Sequence, residues 1–317
     1  MIAKVFKRFS IYSVTFSLFA LCALAYLYSD FDWVWFTFQS RVYNFLVLLG
    51  LFIITLIAVK RIFHYANIEN RNHYYLIIYP LIVYAFPIEQ FDIRILLCSA
   101  LFFSGWASFR EHIADKDSIS NKSSLTKLLD AIVLISFSSV LFYENIFLLL
   151  FPALGLAFSK KSINGKELGI IVIIPVIILF TSYQLVSLFQ FNSFFFSSLL
   201  SEYYFSVYNT FNISFVYQHP EMIVLLILII ISILANIRSR SKHDAKTLDY
   251  TGLGYLFLIA FIIGYSKNSS EMLLHYLTLP LTYYINKLLE SNKNSFLANF
   301  LFILIIISFL LFTFVLK

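Results

Sequence analysis

Two carboxylates one residue apart, in Asp30-Phe31-Asp32, are the side chains of this sequence best suited to chemistry. A carboxylate so placed can act as general base on an acceptor hydroxyl, or hold a divalent cation against a phosphate. The run that follows, Asp32-Trp33-Val34-Trp35-Phe36, adds aromatic surface for a sugar or a lipid. Two acids at the end of an apolar run also serve plain solubility, and that reading stands beside the catalytic one.

A second constellation, of outer and intramembrane polar residues, comprises Glu89, Asp92, Arg94, Glu144, Glu202, His219, Glu221, Lys267, Glu271 and His275. Within it Arg94 either pairs with Asp92 or Glu89 or grips a phosphate with its planar fork. Arg94, Glu89, Asp92, His219 and His275 are therefore candidate ligands for a substrate or a lipid phosphate. The competing reading is that they snorkel at an interface. Asp130 stands alone just inside an apolar run, suited either to relaying protons or to satisfying a helix N-terminus. There is no P-loop, GxGxxG, HExxH or GxSxG motif, and no Cys/His cluster with metal-ligand spacing, so ATP-driven and serine-hydrolase mechanisms have no support.

The elements that position these residues follow from composition. The chain is 60% hydrophobic with a mean hydropathy of +0.84, and only 13% of its residues are charged. A soluble domain is about a quarter charged, and this much apolar surface in water would drive association. The 37 Phe suit an acyl region and the 21 Tyr, with polar tips, suit the headgroup level. The net charge of +6 lies in short clusters between apolar runs rather than on one helix face, so it marks topology and not nucleic-acid binding.

Crossing a ~30 Å core takes roughly 20 helical residues. Apolar runs between polar clusters give eleven candidates, near 10–28, 42–59, 73–88, 93–109, 128–143, 145–159, 168–189, 222–237, 250–265, 271–286 and 296–316. With the N-terminus inside, all Lys and Arg fall on the inner side except Arg41, Arg94, Lys267 and Lys317. A missing or extra span would invert the later loops and destroy that asymmetry. The pairs covering 73–109 and 128–159 are short, and either can be a re-entrant hairpin without changing the later orientation.

The sequence reads as one transmembrane domain, 1–317. Inner charged loops are expected at 110–127 and 238–249, the first as a Ser-rich flexible connector. The segment 191–221 is rich in aromatics and lacks Lys and Arg. It is expected to lie in the outer interface, as an aromatic belt or as the wall of a groove for a lipid-linked substrate. Pro80, Pro152, Pro175 and Pro280 fall inside runs, as kinks or as the helix breaks found at transporter sites. Cys22 and Cys98 lie in separate apolar runs, which argues against a disulfide framework. The first run is long enough to be an uncleaved span rather than a signal peptide.

One stretch carries a family likeness. It contains Ala66-Asn67-Ile68-Glu69, Asn72-His73-Tyr74-Tyr75, Phe86-Pro87, Phe91-Asp92-Ile93-Arg94-Ile95-Leu96, Lys127-Leu128-Leu129-Asp130-Ala131 and Ser139-Val140-Leu141-Phe142-Tyr143. Over about a third of the chain this resembles a family of multi-pass membrane proteins, of unassigned activity, found in flavobacteria and related Bacteroidota. Leu129 and Ile132 stand where the family has Phe and Gly. The resemblance implies lineage and membrane location, not chemistry. Some members carry a carotene-oxygenase label, an activity that needs several histidines converging on iron. Here His64, His73, His112 and His243 fall on the inner side and His219 and His275 on the outer, so no four converge.

The expected fold class is all-α, a polytopic transmembrane helix bundle of about eleven spans with a cytoplasmic N-terminus, in a cell inner membrane. The expected activity is that of an outer-leaflet transferase acting on a polyprenyl-phosphate-linked sugar. Membrane glycosyltransferases that use such donors often keep an acidic pair in their first outer loop, and Asp30 and Asp32 would serve as that pair. No metal site or resident cofactor is expected, save a divalent cation if the glycosyltransferase reading holds. The alternatives are a small-molecule or lipid transporter and a non-enzymatic scaffold of an envelope machine. Transport is disfavoured by how few polar residues, such as Asn44, Gln184 and Asp130, lie within the runs. The expected partners are the lipid bilayer, a polyprenyl-linked substrate or other envelope proteins, and not nucleic acid.

Overall fold

A computed structural model describes residues 11–29, 41–64, 73–84, 93–115, 121–141, 143–158 and 163–188. It also describes Thr278, Thr282, Tyr283, Ile285, Asn286, Leu289, Ile303 and Ile307, all helical. The described residues are helical with no strand. In chain order the elements are α1 (Ile11–Tyr28), α2 (Arg41–His64), α3 (Tyr75–Tyr84), α4 (Ile93–Asp115), α5 (Asn121–Leu141), a 3₁₀ segment (Tyr143–Leu149), α6 (Leu150–Phe158) and α7 (Gly165–Leu188). Four segments are long and apolar enough to cross a membrane: Ile11–Tyr28, Arg41–Ile62, Ser124–Leu141 and Gly165–Leu185. The runs expected at 222–237, 250–265 and 296–316 and the aromatic segment 191–221 lie outside the described residues, apart from the isolated Ile303 and Ile307. Of the run 271–286, only Thr278, Thr282, Tyr283, Ile285 and Asn286 are described.

The chain divides into two compact units. In the first, α1 packs on α2 and α3, and α2 on α3. Ser13, Ser17, Leu21, Leu24, Ala25 and Tyr28 form the buried stripe of α1, spaced at three and four residues as a single helix face requires. The Tyr28 hydroxyl donates to the Val83 carbonyl at 3.2 Å. Val83 is in the last turn of α3, where carbonyls have no partner within the helix, so a tyrosine from α1 replaces the water that lipid excludes. At the same end, Arg41 Nε donates to Ser29 Oγ at 3.3 Å and Asn44 Nδ2 to the Ser29 carbonyl at 3.4 Å. The Arg41 guanidinium also lies over the Tyr26 ring, 4.2 Å from its centroid. These contacts make α2 antiparallel to α1, and α3 parallel to it. At 10 residues, α3 is about 15 Å long, half the thickness of a bilayer core.

The second unit is built around α4, buried on nearly every face from Leu96 to Ile113. Its seam with α5 follows a spacing of seven. Cys98 Sγ lies 3.7 Å from the Ser138 carbonyl, Gly105 faces Ala131, and His112 Nδ1 lies 2.8 Å from the Ser124 carbonyl. A seven-residue repeat on both helices is how two α-helices keep one face together along their length. Small residues dominate this seam because lipid supplies no hydrophobic drive between helices, so close backbone approach must do the work. Against another face of α4, Phe151 of α6 meets Phe102, Trp106 and Phe109 edge-to-face, with centroids 5.7, 4.8 and 5.7 Å away. Those three lie at i, i+4 and i+7, one stripe of α4. The last turn of α5 is capped by Asn145, whose Nδ2 donates to the Ser138 carbonyl at 3.2 Å, while Ser139 Oγ donates to the Asn145 carbonyl at 3.0 Å.

The least buried of the four long apolar helices described is α7, with 11% of its apolar window buried against 44% for that of α5. It begins with a capping box: the Asn164 N–H donates to Glu167 Oε2 at 2.9 Å, and Asn164 Oδ1 accepts from the Lys166 N–H at 3.4 Å. The gradient from a polar, enclosed α4 to an apolar, exposed α7 is the order a lipid solvent imposes, with hydrogen-bonding side chains enclosed and hydrocarbon outside.

The expected connector at 110–127 is a different object. Residues 110–115 continue α4 and 121–127 open α5, leaving only 116–120 between the two helices. Polarity there resembles a solvated loop in sequence, but Arg110, Glu111, His112 and Ser124 are buried against protein. Asp130 also changes role. Because α5 starts at Asn121, Asp130 lies well past the first turn and is exposed, too far in to satisfy the helix N-terminus.

Candidate functional site

The densest buried polarity among the described residues is where the end of α4 meets the starts of α5 and α7. Each helix delivers its residue for a local reason. The seven-residue seam sets His112 against Ser124, and the capping box holds Glu167 in the first turn of α7 by one carboxylate oxygen. The other oxygen, Glu167 Oε1, lies 3.3 Å from His112 Nε2. His112 is 1% exposed and Glu167 3%.

The proton count follows from the partners. His112 Nδ1 is 2.8 Å from both the Ser124 carbonyl and the Ser124 hydroxyl oxygen. A carbonyl only accepts, so Nδ1 carries a hydrogen. The Ser124 hydroxyl is then turned toward the His112 carbonyl, 3.5 Å away. With Nδ1 protonated, a neutral imidazole would aim the Nε2 lone pair at a carboxylate oxygen. One more proton on the pair, as imidazolium with carboxylate or as imidazole with carboxylic acid, would relieve that opposition. Both arrangements are net neutral, which matters where an uncompensated charge costs several kcal/mol of desolvation.

Around this pair, Arg110 and Glu111 continue α4, both buried. Lys127 Nζ from α5 lies 3.7 Å from Glu111 Oε2, partly exposed at the rim. The Phe109 ring lies beside His112, with centroids 6.5 Å apart. The arrangement can bind and release a proton inside a helical bundle. Among the described residues there is no group of three or more His, Cys, Asp or Glu able to hold a metal ion.

The residues singled out from sequence fare differently. Asp30, Asp32, Glu89, Asp92, His219 and His275 lie outside the described residues. Arg94 falls in the first turn of α4, with its side chain outside what is described. Ser29, the last described residue before Asp30, is tied to Arg41 and Asn44. Sequence reasoning missed His112, Ser124 and Glu167. Two signals were available: the N-x-x-E capping pattern at Asn164 ahead of an apolar run, and the seven-residue spacing of Ser124, Ala131 and Ser138 opposite Cys98, Gly105 and His112. No protein-family model, curated protein or solved structure matches the chain.

Proposed function

We propose that this chain is a multi-pass protein of a cell inner membrane, with about eleven spans and a cytoplasmic N-terminus, that moves a small molecule across the membrane together with protons. The observation that carries this reading is the His112–Glu167 pair, a buried base and acid 3.3 Å apart that can share a proton. Ionisable residues inside a membrane bundle are costly, and the commonest return on that cost is a proton or ion pathway. The distribution of Lys and Arg supports the orientation and sets the pair toward the cytoplasmic side. The groups facing it are the Ser124 carbonyl and hydroxyl from α5 and Glu167 from α7, with Arg110, Glu111 and Lys127 nearby.

The test is the full chain in liposomes loaded with a pH-sensitive dye and challenged with a panel of small uncharged and anionic solutes. Wild type is expected to acidify or alkalinise the lumen with at least one solute. His112→Gln and Glu167→Gln are expected to lose the pH change while retaining solute exchange. A wild type that moves no protons with any solute, or variants that move them equally well, would sink the proposal.

The second reading is the outer-leaflet transferase acting on a polyprenyl-phosphate-linked sugar, with Asp30 and Asp32 as base or cation ligands. Its supporting observation is the clamp of Ser29 by Arg41 and Asn44, which fixes the loop's root beside a cation suited to a lipid phosphate. Accumulation of a lipid-linked precursor in a deletion strain and in an Asp30→Asn/Asp32→Asn strain supports it; an unchanged lipid-linked pool in both removes it.

A further inference from the structure

Thr278, Thr282 and Asn286 recur every four residues and so share one face of a helix. All three are buried, at 3%, 0% and 0% exposure, in the compact unit that contains α1–α3. The Thr282 hydroxyl donates to the Thr278 carbonyl at 2.6 Å, which occupies its hydrogen and leaves its lone pairs. Asn286 differs from every other buried amide described. Neither its Oδ1 nor its Nδ2 has a hydrogen-bond partner. Its described neighbours along the helix are Tyr283, Ile285 and Leu289, all buried. A carboxamide carries two donors and an acceptor, and leaving all of them unmet inside a bundle forfeits the full desolvation penalty. An apolar residue of similar size would avoid that penalty, so an amide here is suited to a polar molecule from outside the fold.

The buried polar residues of this unit, among those described, are Ser13, Ser17, Ser29, Asn44, Thr55, Thr278, Thr282 and Asn286, none of them charged. Two more atoms in this set, Ser17 Oγ and Asn44 Oδ1, also have no partner. An ionised ligand would resist desolvation among such uncharged buried groups. We infer that Asn286, with the Thr282 hydroxyl oxygen on the same face, is a binding site for an uncharged small molecule that presents a donor and an acceptor side by side, as a carboxamide or a vicinal diol does. This stands independently of the proton pair, which lies in the other unit.

The experiment uses the full chain in detergent and three probes: acetamide, ethane-1,2-diol and acetate, the last a charged isostere of the first. Acetamide or the diol is expected to raise the wild-type melting temperature saturably, and acetate is not. Asn286→Leu is expected to melt at or above wild type without a probe, because the unmet amide is gone, and to lose the probe-induced shift. Asn286→Ser, which keeps one hydroxyl and cannot overpack, is expected to bind more weakly than wild type. The inference is overturned if no uncharged probe shifts wild type, if acetate shifts it equally, or if the shift survives in both variants. It is likewise overturned if Asn286→Leu and Asn286→Ser both melt well below wild type without a probe, since Asn286 would then be a structural partner and not a vacant site.

Discussion

Gly105 is where the α4–α5 seam is closest, and replacing it with alanine puts a number on the packing. A Cβ at that position would meet Ile135 Cγ1 at 2.8 Å, the Ala131 carbonyl oxygen at 3.0 Å and Leu134 Cβ at 3.3 Å. Carbon atoms rest at about 3.5–4.0 Å, so the helices must part by roughly 0.7 Å or Ile135 must leave its rotamer. The carbonyl is backbone and cannot turn aside. Overpacking of this kind costs about 1–3 kcal/mol. Against it runs the helix propensity of alanine, worth about 1 kcal/mol over glycine. Gly50 in α2 supplies the reference, since a Cβ there meets nothing within 4 Å. Gly50→Ala should therefore gain the propensity term alone. The propensity cancels between the two variants, and Gly105→Ala should fall below Gly50→Ala by about 1–3 kcal/mol. Denaturation of the detergent-solubilised chain by SDS, followed by circular dichroism, measures both midpoints. If the two variants shift the midpoint equally and in the same direction, the register Cys98–Ser138, Gly105–Ala131, His112–Ser124 is wrong, and the geometry of the proton pair fails with it.

One further perturbation probes a separate contact. Phe151→Ala removes the ring that α6 inserts among Phe102, Trp106 and Phe109, and should cost about 3–5 kcal/mol in the same assay; a loss below about 1 kcal/mol would show that α6 does not dock there.

Much of the architecture is legible in the chain itself. Apolar runs anticipate α1, α2, α5 and α7, except that α2 extends past the end of its run and α5 starts before its own. Hydropathy works because each run reports the medium around its whole circumference, and α7, bathed on almost every side, is the clearest case. Local chemistry was legible too, since an Asn three residues ahead of a Glu and an apolar run is a helix start whatever packs on it. Hydropathy misleads where protein replaces lipid as the surroundings. The polar stretch 110–127 has the composition of a solvated connector, yet its buried charges belong to two helix ends pressed together. Asp130, from its apolar run alone, looks like an N-terminal charge, and lies instead on the exposed side of a helix that starts earlier.

What the sequence by itself determined is which segments are apolar enough for helices of membrane-crossing length, because that depends on composition along the chain. Only the tertiary structure decided that His112 meets Glu167, 55 positions away, and that the buried Asn286 amide makes no hydrogen bond. Those facts depend on the rotation and register of whole helices. A step of one residue turns a helix by about 100° and would carry a buried side chain onto a different face. No residue's own chemistry records that rotation. For His112 it is set by the close approach of Gly105 to Ala131 and by the insertion of Phe151, contacts that exist only when the helices are together.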